Sequence, residues 1–248
     1  MSRKKNRQSV KNSNGRNPNL IIRGDLKSIK PLTINQDKFY KLYNKGTEAI
    51  LLHGVAGTGK TYIALYNALN EVLIENNEYE KIVIVRSAVP SRDIGFLPGN
   101  EKEKTEIYSR PYQDICSDLI PRFGKIAYMK LMEQGLIEFM TTSYVRGLTM
   151  DNSIVIVDEC QNMNDMEINS IMTRVGKNSR IIFCGDFRQT DLYRKQDMSG
   201  LNKFISITKH MSTFKMLEFE ITDIVRSNLV KEYILARLAY DDMVLMAS

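Results

Sequence analysis

The segment Gly54-Val55-Ala56-Gly57-Thr58-Gly59-Lys60-Thr61 satisfies every constrained position of the pattern G-x-x-x-x-G-K-[ST]. An apolar run, Ala49 to His53, leads into it, and an amphipathic stretch, Lys60 to Glu75, follows it. A strand, a glycine loop and a helix in that order commit the chain to a phosphate-binding α/β architecture, because the loop N–H groups and the positive helix N-terminus converge on one anion. This reading puts Gly54, Val55, Ala56, Gly57, Thr58, Gly59, Lys60, Thr61 and Tyr62 around a bound nucleotide. Lys60 is expected to reach the β- and γ-phosphates, and the Thr61 hydroxyl to take one magnesium position. Side chains at Gly54, Gly57 or Gly59 are expected to stand between loop and phosphate.

The remainder of the chain repeats the alternation. Strands are predicted at Ala49–His53, Ile82–Arg86, Ile137–Thr141, Ile154–Asp158, Arg180–Cys184 and Met216–Phe219. Their near-continuous Ile, Val, Leu and Phe content suits parallel strands covered on both faces. Helices are predicted at Lys60–Glu75, Glu101–Leu119, Ile126–Glu133, Asp165–Val175, Ser199–Met211 and Asn228–Leu238. The expectation is one α/β domain over residues 25–248, a mostly parallel sheet with helices on both faces, interrupted by a helical insertion at about 87–135.

Ile154-Val155-Ile156-Val157-Asp158-Glu159 ends a hydrophobic strand in two adjacent acids. The carboxyl end of a parallel sheet opens into the ligand crevice, so the pair is explained by a metal and a water. Asp158 is the candidate magnesium holder with Thr61, and Glu159 the group that orients or deprotonates the attacking water. Gln189, after the next strand, is expected beside the γ-phosphate, where an amide can bond both phosphate and water.

Charge narrows the choice of partners. Arg3, Lys4, Lys5, Arg7, Lys11 and Arg16 lie in the acid-free, Asn/Ser-rich first 16 residues of a tail, residues 1–24; of the 35 Lys and Arg, less these six, 29 remain against 29 Asp and Glu. The excess behind the net charge of +6 therefore belongs to the tail, which reads as disordered or as an electrostatic foot on nucleic acid. Cys116, Cys160 and Cys184 include no C-x-x-C pair, and only His53 and His210 are available beside them. A zinc site and a disulfide framework are excluded, and reduced cysteines point to the cytoplasm. No apolar run approaches the roughly 20 residues of a membrane span.

Beyond these motifs, Gly95-Phe96-Leu97-Pro98-Gly99, Tyr108-Ser109-Arg110-Pro111, Asp158-Glu159-Cys160-Gln161-Asn162, Thr173-Arg174-Val175-Gly176, Gly185-Asp186 with Gln189, and Ser199-Gly200-Leu201 occur in order. Together they resemble the PhoH family of P-loop ATPases. The resemblance implies a RecA-like fold related to the motor core of superfamily 1 helicases, ATP and Mg2+ as ligands, single-stranded nucleic acid (RNA favoured) as partner, and a homo-oligomer such as a hexameric ring. It also implies that Gln36 reads the adenine edge, the alternative being a surface Gln before a helix, and that Arg226 and Arg174 approach a γ-phosphate in their own or a neighbouring subunit. Leu148 and Cys160 stand where the family usually has arginine and alanine. A nucleotide-gated scaffold and a small-molecule kinase remain alternative functions.

Overall fold

The computed structural model describes residues 18–87, 101–187 and 200–246. Most of the basic tail, the Gly95 to Gly99 motif and Gln189 lie outside the described residues. Six strands, β1 (Ala49–Gly54), β2 (Lys81–Arg86), β3 (Ile137–Thr141), β4 (Ser153–Asp158), β5 (Arg180–Gly185) and β6 (Phe214–Phe219), form one sheet in the order β3-β2-β4-β5-β1-β6. Every pairing is parallel. The helices are α1 (Ile34–Asn44), α2 (Lys60–Val72), α3 (Glu101–Leu119), α4 (Ala127–Glu133), α5 (Asp165–Met172), α6 (Gly200–Thr208) and α7 (Asn228–Met246).

Side-chain alternation divides the core into two layers. Ile50 and Leu52, Ile82 and Ile84, Ile154 and Ile156, and Ile182 with Cys184 pack against α1, α2, α3 and α4. Leu51, Val83 and Val85, Val155 and Val157, and Ile181 with Phe183 pack against α5 and α6. This is the doubly covered α/β fold that the apolar strands require.

Some boundaries differ from expectation. The last strand begins at Phe214, because exposed Lys215 interrupts an apolar pattern that the buried Phe214 and Phe219 anchor. α5 stops at Met172 since Val175 instead bridges Met150, and α2 stops at Val72. α7 continues to Met246, as no Gly or Pro follows Leu238 within it. The apolar pattern does not mark α1, because Asn35 and Gln36 are polar yet buried on its inward side with Phe39 and Tyr43.

The site follows from topology. β5 lies between β1 and β4, so the glycine loop after β1 and the acids ending β4 open onto the same carboxyl edge of the sheet. β2 flanks β4 in a register that sets Arg86 beside Asp158.

Candidate active site

The loop between β1 and α2 is built against the protein as much as toward a ligand. Gly54 has φ +125°, and a Cβ there would come within 2.0 Å of the Phe219 carbonyl oxygen, while the Val55 N–H donates to that same oxygen at 3.0 Å. At Gly57 an added Cβ would meet the Arg226 side chain at 3.0 Å, and at Gly59 the Gln36 amide at 3.4 Å. Beside any phosphate, the fold itself thus requires Gly54 against the β6 backbone, while Gly57 and Gly59, at φ +78° and +82°, hold a left-handed backbone that suits glycine. Lys60 is buried beneath the loop, its Nζ donating to the Val55 carbonyl at 2.8 Å and to Thr58 Oγ1 at 3.1 Å, and paired with Asp186 at 2.8 Å.

Asp158 meets the loop directly. Thr61 Oγ1 donates to Asp158 Oδ1 at 2.7 Å, joining the residues expected to share a metal. Glu159, next along the chain, has φ 53° and ψ 40°, the left-handed region, which costs a non-glycine residue of order 1 kcal/mol. The twist turns the chain into a short 3-10 turn at Cys160–Asn162. Burial, then the neighbouring Asp158 and Asp186 carboxylates, push the Glu159 carboxyl above the usual range. Gln161 donates to Glu159 Oε2 at 2.6 Å and accepts from the Asp186 N–H at 3.1 Å, so one amide spans the ends of β4 and β5.

These groups line a cleft of about 730 Å3 that also includes Lys27, Lys30, Gln36, Tyr62, Arg86, Gly185 and Arg226. Gln36 is 3% exposed, so it is not a surface glutamine: its Nε2 donates to the Thr58 carbonyl at 3.0 Å and its Oε1 accepts from the Leu32 N–H at 2.8 Å. Arg226 lies on the loop of its own chain, held there by the Val225 N–H donating to the Gly57 carbonyl at 3.1 Å. Tyr62 donates to Asp118 at 2.6 Å.

Arg174 is not brought to the cleft. Its carbonyl accepts from the Met150 N–H, ahead of β4, which places it at the opposite end of the sheet from Asp158.

Sequence reasoning missed four groups. Tyr112 of α3 donates its hydroxyl to Asp158 Oδ2 at 2.8 Å; burial and the Asp158 charge raise its pKa well above that of free tyrosine, so it is a donor at any physiological pH. Arg86 stands beside Asp158 across β2 and β4 and favours the ionised form of Glu159. A cation ending a strand next to an acid-ending strand is the signal for it, readable only once strand order is known. Asp186 occupies the Lys60 ammonium. His53 stacks on Phe187 with centroids 5.0 Å apart, and burial lowers its pKa.

The donor set suits magnesium. Among the described residues no group of three or more His, Cys, Asp or Glu surrounds a point. Magnesium needs none, since it keeps waters and substrate phosphates around one or two protein groups, and Thr61 and Asp158 are the residues that could hold it, the carboxylate through water.

The PhoH family model, described as PhoH-like protein, matches residues 28–237. The chain belongs to the PhoH family. It is 37% identical over 209 residues to a PhoH-like protein of Bacillus subtilis, covering 84% of this chain and 63% of that one. To a PhoH-like protein of Mycobacterium leprae it is 33% identical over 224 residues, covering 90% and 62%. This PhoH-family chain thus spans about three-fifths of the length of these relatives. A solved Sulfolobus solfataricus SWI2/SNF2 ATPase core in complex with dsDNA aligns with TM-score 0.46 at 15% identity, over 79% of this chain and 45% of that one. Among the described residues no helix is long and apolar enough to cross a membrane.

Proposed function

We propose that this PhoH-family chain is a magnesium-dependent ATPase whose turnover is coupled to single-stranded nucleic acid, RNA in preference to DNA. The observation that carries the ATPase reading is the convergence of Lys60, the Thr61–Asp158 hydrogen bond and Glu159 in one cleft. The loop N–H groups and Lys60 bind the phosphates, once the nucleotide displaces Asp186 from the ammonium. Arg226, already on its own loop, adds a second cation in cis. When bound, magnesium supplies charge neutralisation at the phosphates. Glu159 holds and deprotonates the attacking water, with Gln161 fixing one carboxylate oxygen. Gln189 belongs to the same proposal as the amide beside the γ-phosphate, and Arg174 as a residue that would meet a nucleotide only in a neighbouring subunit of an oligomer.

Nucleic acid as partner rests on the family resemblance and on six basic residues among the first 16. Three free, buried cysteines support a cytoplasmic location.

The Lys60–Asp186 pair favours a second reading, a nucleotide-gated protein that turns over little without a partner, because the resting lysine is already neutralised. Phosphate release from Mg-ATP, measured alone and with single-stranded RNA or DNA, tests both, with Lys60→Ala as blank. Release stimulated by a strand and absent in the variant is the expected result. ATP binding without release under any condition would sink the ATPase reading and favour the gated protein.

A further inference from the structure

We propose that Tyr112 is a positioning residue for the Asp158 carboxylate, and that through it the helical insertion sets how tightly this chain takes magnesium with its nucleotide. The inference rests on Asp158 being the metal-holding acid, and Tyr112 is itself not among the residues that line the cleft.

The two oxygens of Asp158 are held by hydroxyls from different parts of the fold. Oδ1 accepts from Thr61 at 2.7 Å, which ties the carboxylate to the phosphate loop; Oδ2 accepts from Tyr112 at 2.8 Å, which ties it to α3. A carboxylate offers about four lone-pair sites, so two remain for metal-bound waters, with the plane of the group fixed by the other two.

Packing does not explain the hydroxyl. Tyr112, Cys116 and Leu119 are each 0% exposed and recur at helical spacing, forming the inward stripe of α3. The Tyr112 ring lies 5.7 Å from that of Phe139 on β3. Phenylalanine would fill this place equally well, and a buried hydroxyl costs free energy unless it is bonded. What tyrosine adds is a hydroxyl that bonds Asp158 and also meets the Arg86 guanidinium beside it. The neighbouring Pro111 and Ile115 line the cleft itself, so α3 contacts both the nucleotide space and the metal-holding acid.

Groups that orient a metal-holding residue change metal affinity by about 10- to 100-fold when removed. Coupling is reciprocal, so magnesium settling on an oriented Asp158 also steadies α3.

The test is Tyr112→Phe in the full chain, read by fluorescence of a mant-ATP probe titrated with magnesium. The magnesium midpoint is expected to rise roughly tenfold, while probe binding in EDTA stays unchanged. A midpoint within twofold of wild type overturns the inference, as does an equal loss in EDTA, which would show general damage. Asp158→Asn separates the two layers of the argument: if it leaves the midpoint unmoved, the metal reading of the site fails; if it alone moves the midpoint, only the role of Tyr112 fails. Should Tyr112→Phe not fold, amide exchange of wild-type α3 decides. Exchange slowed by magnesium with nucleotide, beyond nucleotide in EDTA, supports the inference, and equal exchange overturns it.

Discussion

Gln36 commits both ends of its amide to the protein, donating to Thr58 and accepting from Leu32, so its first role is to brace the phosphate loop. Gln36→Ala should therefore weaken ATP and GTP to the same extent, by about 1 kcal/mol or roughly fivefold. Competition binding with both nucleotides checks this; a loss confined to ATP would show that the amide turns to the adenine edge instead. Glu159 makes a sharper case. In the proposed mechanism its carboxylate activates the water, and Glu159→Gln keeps its size and its bond to Gln161. Turnover should fall roughly 10²- to 10⁴-fold with nucleotide binding retained, as single-turnover phosphate release would show. An unaltered rate would remove Glu159 from the role of base.

Among the elements, α5 shows how few side chains tie a helix to the ends of two strands. Asn164 caps its N-terminus by accepting from the Glu167 N–H at 3.0 Å, and Glu167 accepts in return from the Asn164 N–H at 2.9 Å. The same Glu167 carboxylate accepts from Thr142 at 2.5 Å and Ser87 at 3.2 Å, so it joins the segments leaving β2 and β3 to the start of α5. Glu167→Ala removes three bonds at once and should cost about 2–3 kcal/mol in urea unfolding, against about 1 kcal/mol for Asn164→Ala. Equal costs would mean that only the cap matters. The strands and the two acidic and glycine motifs were legible in the sequence because parallel strands buried on both faces write uninterrupted apolar runs, and because the loop and the acids each end such a run. Tyr112, Arg86 and Asp186 were not legible, since each earns its place by a contact across the sheet. Arg86 adjoins Asp158 only through the β2–β4 register, and Tyr112 reaches it from a helix 46 positions earlier in the chain. The polar residues Asn35 and Gln36 hid α1 for the reason that makes it useful: they bond Asp223 and the loop.

At the scale of the whole molecule, the resting cleft gathers Asp158, Glu159 and Asp186 at one end of the sheet, an arrangement that favours ligand over apo stability. Mg-ATP at 100 times its Kd should stabilise the fold by about 2.7 kcal/mol, equivalent to a melting shift of roughly 5–10 °C for a chain of this size; Lys60→Ala should show little of it. The pH dependence separates Glu159 from its surroundings. Its folded-state pKa is raised above the ordinary carboxylate value, so the stability it contributes is present below that ordinary value and is lost as pH rises through the raised folded pKa. His53, whose pKa burial lowers, acts in the opposite sense: its stability is lost as pH falls from its ordinary value through the folded one. His53 is common to wild type and Glu159→Gln, so the difference between their melting temperatures cancels it and reports the glutamate together with its repulsion from Asp158 and Asp186. Without nucleotide, the variant should melt higher than wild type at pH 7, and the gap should close as pH approaches 4.5. A gap that is absent at pH 7, or that widens in acid, would mean that the Glu159 charge is not held at a cost in the resting protein.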